Sequence, residues 1–406
     1  MVTEEDPTPS QRQVQMNQVT VTAGVLAVLS WAWTFTGHAG TSETNTMERL
    51  KALKSEVLDA SAKSQSAGLR AADANIPSML KLIRSVPNSP MAFETLRWVM
   101  LRAEIGSKPY EPEVVELLRD YHAKNPQMGW ICHGIGYYAS HLDDWRKQTT
   151  MDLLRVVSES NPDRSARGQA TLALARLIKS KAAYLQCFQN SIPAMRNTRT
   201  AAHRAEYFER WSNQDEKVVS AEAQRLFDAV IQQYGDCREF PRKPNPTLAE
   251  TAKRDLFELC HLALGQKAPD LEGVDLDGRR LRLADFGGKI VVLCFWATWC
   301  PSCMSMVPQE RALVARMAGW PFAFVGVNGD EDRTKAKAAA QKLGMSWPSF
   351  WDRGPVGPIS TDWNVQGWPM VYILDAKGNI RFKAMDDGAN MDEAVEELIK
   401  ENPDKK

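Results

Sequence analysis

The sequence of 406 residues lacks an excess of charge of either sign, since 50 Lys and Arg residues balance 50 Asp and Glu residues. A nucleic-acid-binding protein normally carries a basic surplus that neutralises phosphates, so this class is excluded. Cysteine is sparse, at seven residues, which excludes a disulfide scaffold, and the odd count leaves at least one thiol free or paired with another chain. The apolar share of 44% is typical of globular proteins, and the length predicts two or three domains.

Charge is missing altogether from Gln13 to Ser42, and the apolar centre of this segment runs from Val19 to Phe35. Its seventeen residues are few for a membrane-spanning helix and suit the core of a signal peptide, with small residues that would allow cleavage after Ala39. Three acidic residues before this core argue against export, because export signals prefer a positive start. Residues 1–45 are therefore predicted to form a signal peptide or membrane anchor, with the periplasm or cell envelope as location and the cytoplasm as alternative.

Residues 46–264 have the pattern of helices separated by proline breaks. Glu116–Arg119 followed by Asn125-Pro126 resembles Asp152–Arg155 followed by Asn161-Pro162, at an offset of 36 residues. This offset is typical of helix-turn-helix repeats, in which each hairpin buries its face on the next. The region resembles a tetratricopeptide-like array, and an irregular helical bundle is the alternative. Either form makes it a candidate surface for a protein partner.

Residues 265–406 change to alternating strands and helices. The patterns predict two strand–helix pairs, followed by two strands and a last helix. In chain order these are strand Ile290–Trp296 with helix Met304–Met317, strand Phe322–Asn328 with helix Arg333–Leu343, and strands Pro369–Leu374 and Ile380–Phe382 before helix Met391–Lys400. An apolar run such as the first strand is buried on both faces of a sheet. This order predicts an α/β sandwich with a mixed central sheet.

The motif Trp299-Cys300-Pro301-Ser302-Cys303 follows the first buried strand. A cysteine at that position begins a helix, where free N–H groups and the helix dipole favour a thiolate. Pro301 falls at the first helical position, where its missing N–H costs nothing. The two intervening residues allow the two sulfurs to bond. Cys300 is therefore expected to be exposed and nucleophilic, and Cys303 more buried and resolving.

The segment Phe295–Cys303 resembles the active-site signature of the thioredoxin superfamily. Lys267–Asp270 and Leu283–Phe286 resemble the approach to this signature in the TlpA-like, envelope-facing thiol–disulfide branch. Pro308 matches the proline that kinks the active-site helix, and Gly367–Pro369 matches the loop whose cis-proline lies against the disulfide. The resemblance covers about a third of the chain and implies a thioredoxin-like fold there.

The resemblance also implies the site. Cys300 and Cys303 would form a redox-active disulfide, with no further cofactor and no metal. The residues expected to contact substrate are Trp299, Pro301, Ser302, Trp368 and Pro369. The expected partners are protein thiols and disulfides, with a membrane electron donor as a further candidate.

One position departs from the thioredoxin pattern. Thioredoxins carry a buried acid six residues before the first cysteine, which helps to deprotonate the resolving thiol, and here that position is Cys294. A buried thiol cannot serve as a base at neutral pH. Proton transfer must then use water or another group, and Glu310 is the candidate residue. A solvent-exposed carboxylate is the alternative interpretation of Glu310.

Other chemistries fit the sequence poorly. A zinc site needs a second pair of ligands, and no histidine follows His261. A peroxidase of the peroxiredoxin kind needs Pro and Thr where Leu293 and Ala297 stand. Residues 330–332 are expected to form a solvated acidic loop. The remaining cysteines show no metal-ligand spacing and no readable pairing: Cys132, Cys187, Cys237 and Cys260.

The sequence therefore predicts an enzyme, a protein disulfide oxidoreductase. Reduction is the favoured direction, because Pro301 and Ser302 supply no positive charge to stabilise a thiolate strongly. Two alternatives stay open: a helical-repeat interaction protein with a redox-sensing domain, and a disulfide-forming oxidase that uses the same residues in reverse.

Overall fold

The computed structural model describes residues 41–100, 111–137, 144–189, 213–239, 246–384 and 391–401. The chain divides into two compact units, residues 1–46 and 47–406. The apolar core of the predicted signal peptide or anchor lies in residues 1–40, outside the described residues. Within the described ranges, no helix combines the length and the apolar character that crossing a membrane requires.

The described part of residues 46–264 is mainly helical, as predicted. Its described helices are α1 (Thr41–Lys63), α2 (Gln65–Ser85), α3 (Pro90–Met100), α4 (Glu111–Leu117, continued by a π-helical turn Leu118–His122), α5 (Met128–Tyr137), α6 (Asp144–Ser160), α7 (Arg164–Gln189), α8 (Glu216–Tyr234) and α9 (Leu248–His261). The two Asn-Pro breaks meet in space, because the Asn161 amide donates to the backbone carbonyls of Ala123 at 2.7 Å and Asn125 at 2.8 Å. The tetratricopeptide-like repeat itself stays a prediction.

Helix α9 joins the helical region to the sheet region. Its start is fixed by a capping box, in which the Thr247 hydroxyl accepts from the Glu250 N–H and the Glu250 carboxylate accepts from the Thr247 N–H. Its buried side chains include Ala252, Asp255 and Leu259, which recur at helical spacing and form one face. This face carries a carboxylate, Asp255, at a position where an apolar residue would be ordinary.

The remainder forms a mixed sheet with flanking helices, as predicted. The elements are a hairpin of β1 (Glu272–Val274) and β2 (Arg280–Arg282), then β3 (Ile290–Trp296), α10 (Pro301–Arg316), β4 (Phe322–Asn328), α11 (Arg333–Lys342), β5 (Ser349–Trp351), α12 (Pro358–Asp362), β6 (Met370–Leu374), β7 (Ile380–Ala384) and α13 (Met391–Lys400). The main sheet has the order β5-β4-β3-β6-β7. Strands β3, β4 and β5 run parallel, and β6 pairs antiparallel with both β3 and β7. The topology agrees with a thioredoxin-like fold.

Side-chain alternation along β3 separates two apolar cores. Cys294 and Trp296 point to one face of the sheet, with the cysteine motif, α10 and α13, and we call it the disulfide face. Leu293 and Phe295 point to the other face, where Tyr372 of β6 is fully buried and Phe257 of α9 packs at the edge. We call it the helical-region face. Burial of each large side chain stabilises the fold by about 1.5–3 kcal/mol.

Candidate active site

The two motif cysteines form a disulfide at the start of α10, just after the end of β3. Cys300 is the N-cap of α10, and its Sγ accepts a hydrogen bond of 3.1 Å from the Cys303 backbone N–H. Pro301 occupies the first turn, as predicted. The Cα atoms of Cys300 and Cys303 are 5.3 Å apart, an ordinary separation for a disulfide. The sulfur of Cys300 therefore lies where free helix N–H groups favour negative charge.

The expected exposure of Cys300 is wrong. The residue is 4% exposed and Cys303 is 2% exposed. Both belong to the apolar cluster of the disulfide face, and the side chains of Trp299 and Trp368 pack against that cluster. The two indole rings meet edge to face, with centroids 5.5 Å apart. Sequence spacing could place Cys300 at the helix start, but the apolar cluster that buries it includes side chains more than sixty residues away in the chain.

The loop that supplies Trp368 has the expected backbone. The Trp368–Pro369 peptide bond is cis, as the resemblance implied. Pro369 precedes β6, whose first residue Met370 lies opposite Phe295 near the end of β3, so the loop and the cysteine motif share one end of the sheet. Gly329, at the end of β4, makes room for the loop, because a Cβ atom there would overlap the Trp368 ring.

A buried carboxylate fixes the segment before Cys300. Asp330 is 7% exposed and accepts hydrogen bonds from the Thr298 backbone N–H at 3.0 Å and from the Thr298 hydroxyl at 2.6 Å. The side-chain amide of Asn328 donates to the same carboxylate at 2.7 Å. The interpretation of residues 330–332 as a solvated loop is therefore wrong for Asp330. The ends of β3 and β4 lie side by side and bury it, which local sequence does not reveal.

Glu310 is also buried, and the interpretation as a solvent-exposed carboxylate is wrong. The residue is 3% exposed, and the Cys294 thiol donates to its Oε1 at 3.5 Å. Burial raises the pKa of Glu310 to about 7, against the opposing effect of this hydrogen bond. Burial, together with the nearby Glu310 charge, raises the pKa of the Cys294 thiol well above its usual value. Glu310 therefore exchanges a proton near neutral pH while Cys294 stays a thiol.

Glu310 and Cys303 lie on the same buried face of α10. They are seven positions apart, which is two helical turns, or about 10 Å along the axis. Long side chains on a helix tend to lean toward its N-terminus, which is the end of α10 that carries the cysteine pair. At the strand position where thioredoxins carry an acid, this chain has Cys294, and the buried carboxyl group beside it belongs to the helix.

The other candidate residues differ in exposure. Pro301 and Ser302 are exposed at the start of α10, Trp299 and Trp368 are half-buried, and Pro369 is buried. Free thiols among the described residues include Cys132, which is buried, and Cys237 and Cys260, which are half-buried. The side chain of Cys187 lies outside the described part. The described residues contain no group of three or more His, Cys, Asp or Glu side chains placed to hold a metal ion.

The carboxyl-terminal part of the chain is similar to known proteins. The AhpC/TSA family profile matches residues 264–383. The thioredoxin-like protein YneN of Bacillus subtilis is 36% identical over 120 residues, which are 29% of this chain and 68% of that protein. The thiol-disulfide oxidoreductase ResA of Geobacillus kaustophilus is 30% identical over 124 residues, which are 30% of this chain and 70% of that protein.

Among solved structures, the thioredoxin domain of a thiol-disulfide oxidoreductase from Bacteroides vulgatus is 26% identical. The match covers 34% of this chain and 98% of that one, with a TM-score of 0.32. The family match covers the part of the chain that holds the disulfide. With its carboxyl-terminal third, this chain belongs to the thioredoxin-like family of thiol–disulfide oxidoreductases.

Proposed function

We propose that this protein reduces disulfide bonds of other proteins, with Cys300 as nucleophile and Cys303 as resolving thiol. The Cys300 thiolate attacks a substrate disulfide, so that a mixed disulfide forms and one substrate thiolate leaves. The Cys303 thiolate then attacks the Cys300 sulfur, which releases the second substrate thiol. Two electrons pass from the cysteine pair to the substrate, and the pair ends as the disulfide seen in the structure. A separate dithiol donor must return it to the reduced state.

The observation that carries this proposal is the Cys300 sulfur at the N-terminus of α10, hydrogen-bonded by the Cys303 N–H. This donor favours negative charge on Cys300 over Cys303, which supports Cys300 as the nucleophile and Cys303 as the resolving thiol.

Proton transfer is assigned to Glu310. The resolving thiol must lose a proton before it attacks, and Cys294 cannot accept one because its own pKa is raised by burial. The Glu310 carboxyl group, with its pKa raised to about 7 by burial, is half ionised at neutral pH and can accept that proton. Because Glu310 and Cys303 are two helical turns apart, this transfer runs through intervening water.

The surroundings of Cys300 support the reducing direction. A strongly oxidising protein stabilises its reduced form through a very acidic nucleophilic thiol. Here the sulfur is buried in an apolar cluster. This burial opposes the effect of the helix dipole and limits the stability of the thiolate. We expect a reduction potential nearer to that of thioredoxin than to that of a disulfide-forming oxidase.

We further propose that the protein works in the cell envelope. Support comes from the uncharged segment from Gln13 to Ser42, which suits an export signal or anchor. An alkaline phosphatase fusion after residue 45 tests this location. Phosphatase activity in whole cells supports export, and activity confined to a cytoplasmic control reporter contradicts it.

The activity is tested by insulin reduction with dithiothreitol as donor. Wild type should accelerate precipitation of the insulin B chain, and Cys300→Ser should not. Cys237→Ser, which removes a half-buried thiol of the helical region, is the matched control and should match wild type. Equal behaviour of wild type and Cys300→Ser overturns the enzyme proposal and favours a binding or sensing role. A potential close to −120 mV, against about −270 mV for thioredoxin, indicates an oxidase instead.

A further inference from the structure

An ion cluster lies between the helical region and the redox domain. Arg176 and Lys179 of α7 face Asp255 and Glu258 of α9, and Lys383 of β7 completes the group. The Arg176 Nε and the Lys179 Nζ each lie 2.7 Å from an oxygen of Asp255. Lys179 also lies 2.7 Å from Glu258, which pairs with Lys383 on its other side. The cluster therefore ties one strand of the redox domain to two helices of the helical region.

The charges in this cluster compensate one another. Burial alone would raise the pKa of Glu258, but the charges of Lys179 and Lys383 outweigh it and hold the pKa below its usual range. The pKa of Asp255 is likewise lowered, against its burial, by Arg176 and Lys179. All five side chains are at least three-quarters buried. Ionised and paired in this way, the two carboxylates of α9 are fixed hydrogen-bond acceptors.

Asn364 donates hydrogen bonds to these two carboxylates, and it begins the loop that contains Trp368 and Pro369. Its side-chain amide donates to Glu258 at 2.6 Å and to Asp255 at 3.3 Å. Its backbone is left-handed, with φ of 47°, a conformation that asparagine tolerates better than most residues. Its own side-chain oxygen accepts from the Gln366 amide at 2.6 Å. Trp368 follows two residues after Gln366, and its ring packs against the apolar cluster that contains Cys300 and Cys303.

Aromatic contacts with residues of the sheet also hold this loop. Trp363, just before Asn364, packs edge to face on Tyr372 of β6, with ring centroids 5.0 Å apart. The ring of Phe295 lies 5.9 Å from Trp363 and 6.3 Å from Trp368. The Lys383 ammonium group lies over the Tyr372 ring at 5.5 Å. The loop is thus anchored at its start to the ion cluster and along its length to the helical-region face.

We propose that the helical region positions the substrate-contact loop of the redox domain, through the hydrogen bonds of Asn364 with Asp255 and Glu258. This inference rests on the proposed disulfide-reductase function. Asn364 is a positioning residue, because it acts on a substrate through Trp368 and Pro369. The cysteine pair is held separately, by α10 and by the Asp330–Thr298 contacts on another side of the site. The helical region should therefore affect protein substrates, which contact the loop, and leave the chemistry of the sulfurs unchanged.

The test compares two substrates in one set of variants of the full chain. Asn364→Gly removes the side-chain hydrogen bonds and keeps a backbone that tolerates positive φ. Asp236→Asn, which weakens an exposed ion pair with Arg164 inside the helical region, is the matched control. For insulin, we expect kcat/KM to fall about tenfold in Asn364→Gly and to stay within twofold of wild type in the control. For a small aromatic disulfide, and for the reduction potential, we expect no change in either variant.

Unchanged insulin reduction in Asn364→Gly overturns the inference, as does an equal loss on both substrates or a shifted potential. If wild type reduces neither substrate, the proposed function itself fails, and this inference fails with it.

Hydrogen exchange supplies a measurement that needs no variant. In wild type, the amides of residues 364–368 should exchange together with those of α9, because opening one requires release of the other. Exchange of the loop at a rate unrelated to α9 contradicts the inference, whatever the variants show.

Discussion

The two faces of the sheet each bury a glutamate, and the two glutamates behave in opposite ways. Glu310 on the disulfide face has a thiol as its side-chain partner, and burial raises its pKa to about 7. Glu258 on the helical-region face lies between Lys179 and Lys383, whose charges overcome the effect of burial and lower its pKa. Burial alone therefore does not decide the state of a carboxyl group. The partner decides whether it serves as a proton acceptor or as a fixed anchor.

The same contrast gives the two faces opposite dependences on pH. A raised pKa in the fold means that Glu310 binds protons more tightly folded than unfolded, so its contribution to stability is present at low pH and is lost as the pH rises from about 4.5 through about 7. Glu258 has a lowered pKa, so its contribution is present above its usual value of 4.5 and is lost as the pH falls below it.

The largest expected effect comes from removing Glu258 from the ion cluster. Glu258→Ala leaves the ammonium groups of Lys179 and Lys383 without this partner in a mostly buried site. Removal of one partner of a buried ion pair costs about 3–5 kcal/mol, and we expect about 3 because the site is not fully closed to water. Urea denaturation at pH 7 measures the free energy of unfolding. A loss below about 1 kcal/mol, similar to that of the exposed pair variant Asp236→Asn, would contradict the anchoring role.

The second effect concerns Glu310, the glutamate on the disulfide face. Each pKa unit corresponds to about 1.4 kcal/mol, so ionisation of Glu310 in the fold, where the pKa rises from 4.5 to about 7, costs about 3 kcal/mol. Glu310→Gln removes this cost. We therefore expect the stability of the variant relative to wild type to grow by about 3 kcal/mol between pH 4.5 and pH 8.5. The exposed Glu393→Gln is the control, and a difference that stays constant with pH in both variants argues against a buried titrating group.

The third effect is kinetic. If Glu310 accepts the proton of Cys303, the rate at which a mixed disulfide resolves should rise with pH through a midpoint near 7 in wild type. Glu310→Gln should slow this step about a hundredfold at pH 7, the lower end of the range for general base catalysis, and should remove the midpoint. Stopped-flow measurement of the resolving step gives the profile. Retention of the midpoint in Glu310→Gln would assign it to another group.

The smallest effect sharpens the role of Cys294. Its hydrogen bond to Glu310 stabilises the carboxylate and so lowers the pKa that burial raises. Cys294→Ala removes this donor, and the midpoint of the pH profile should move upward. The small cavity left behind costs about 1 kcal/mol of stability. A downward or absent shift would show that Cys294 does not interact with the titrating group.

The sequence predicted what depends on local pattern. Apolar runs identified β3 and β4, and the motif spacing placed Cys300 at the start of a helix, since each signal lies within a few neighbouring residues. Short β5 was missed because its three residues become a strand only through pairing with β4. The motif also led to the cis bond before Pro369, although the reason for it lies in the family and not in local propensity.

Burial was the property that sequence predicted least well. Cys300, Glu310 and Asp330 all lie deeper than expected, because their covers come from segments distant in the chain. The ion cluster of Asp255 and Glu258 was not anticipated at all. Its cations lie 76 to 125 residues away in the chain, and charged residues on a helix ordinarily face water. The one available signal was Asp255 itself, an acid on the apolar face of α9.

The central claim is that Cys300 attacks a substrate disulfide and Cys303 resolves the product. The most direct measurement is trapping with Cys303→Ser, which should hold an oxidised protein substrate on Cys300 through a bond that dithiothreitol releases. Peptide mass spectrometry should locate that bond at Cys300, and the double variant Cys300→Ser/Cys303→Ser should trap nothing. Absence of an adduct, or an adduct on Cys237 or Cys260 instead, would contradict the account.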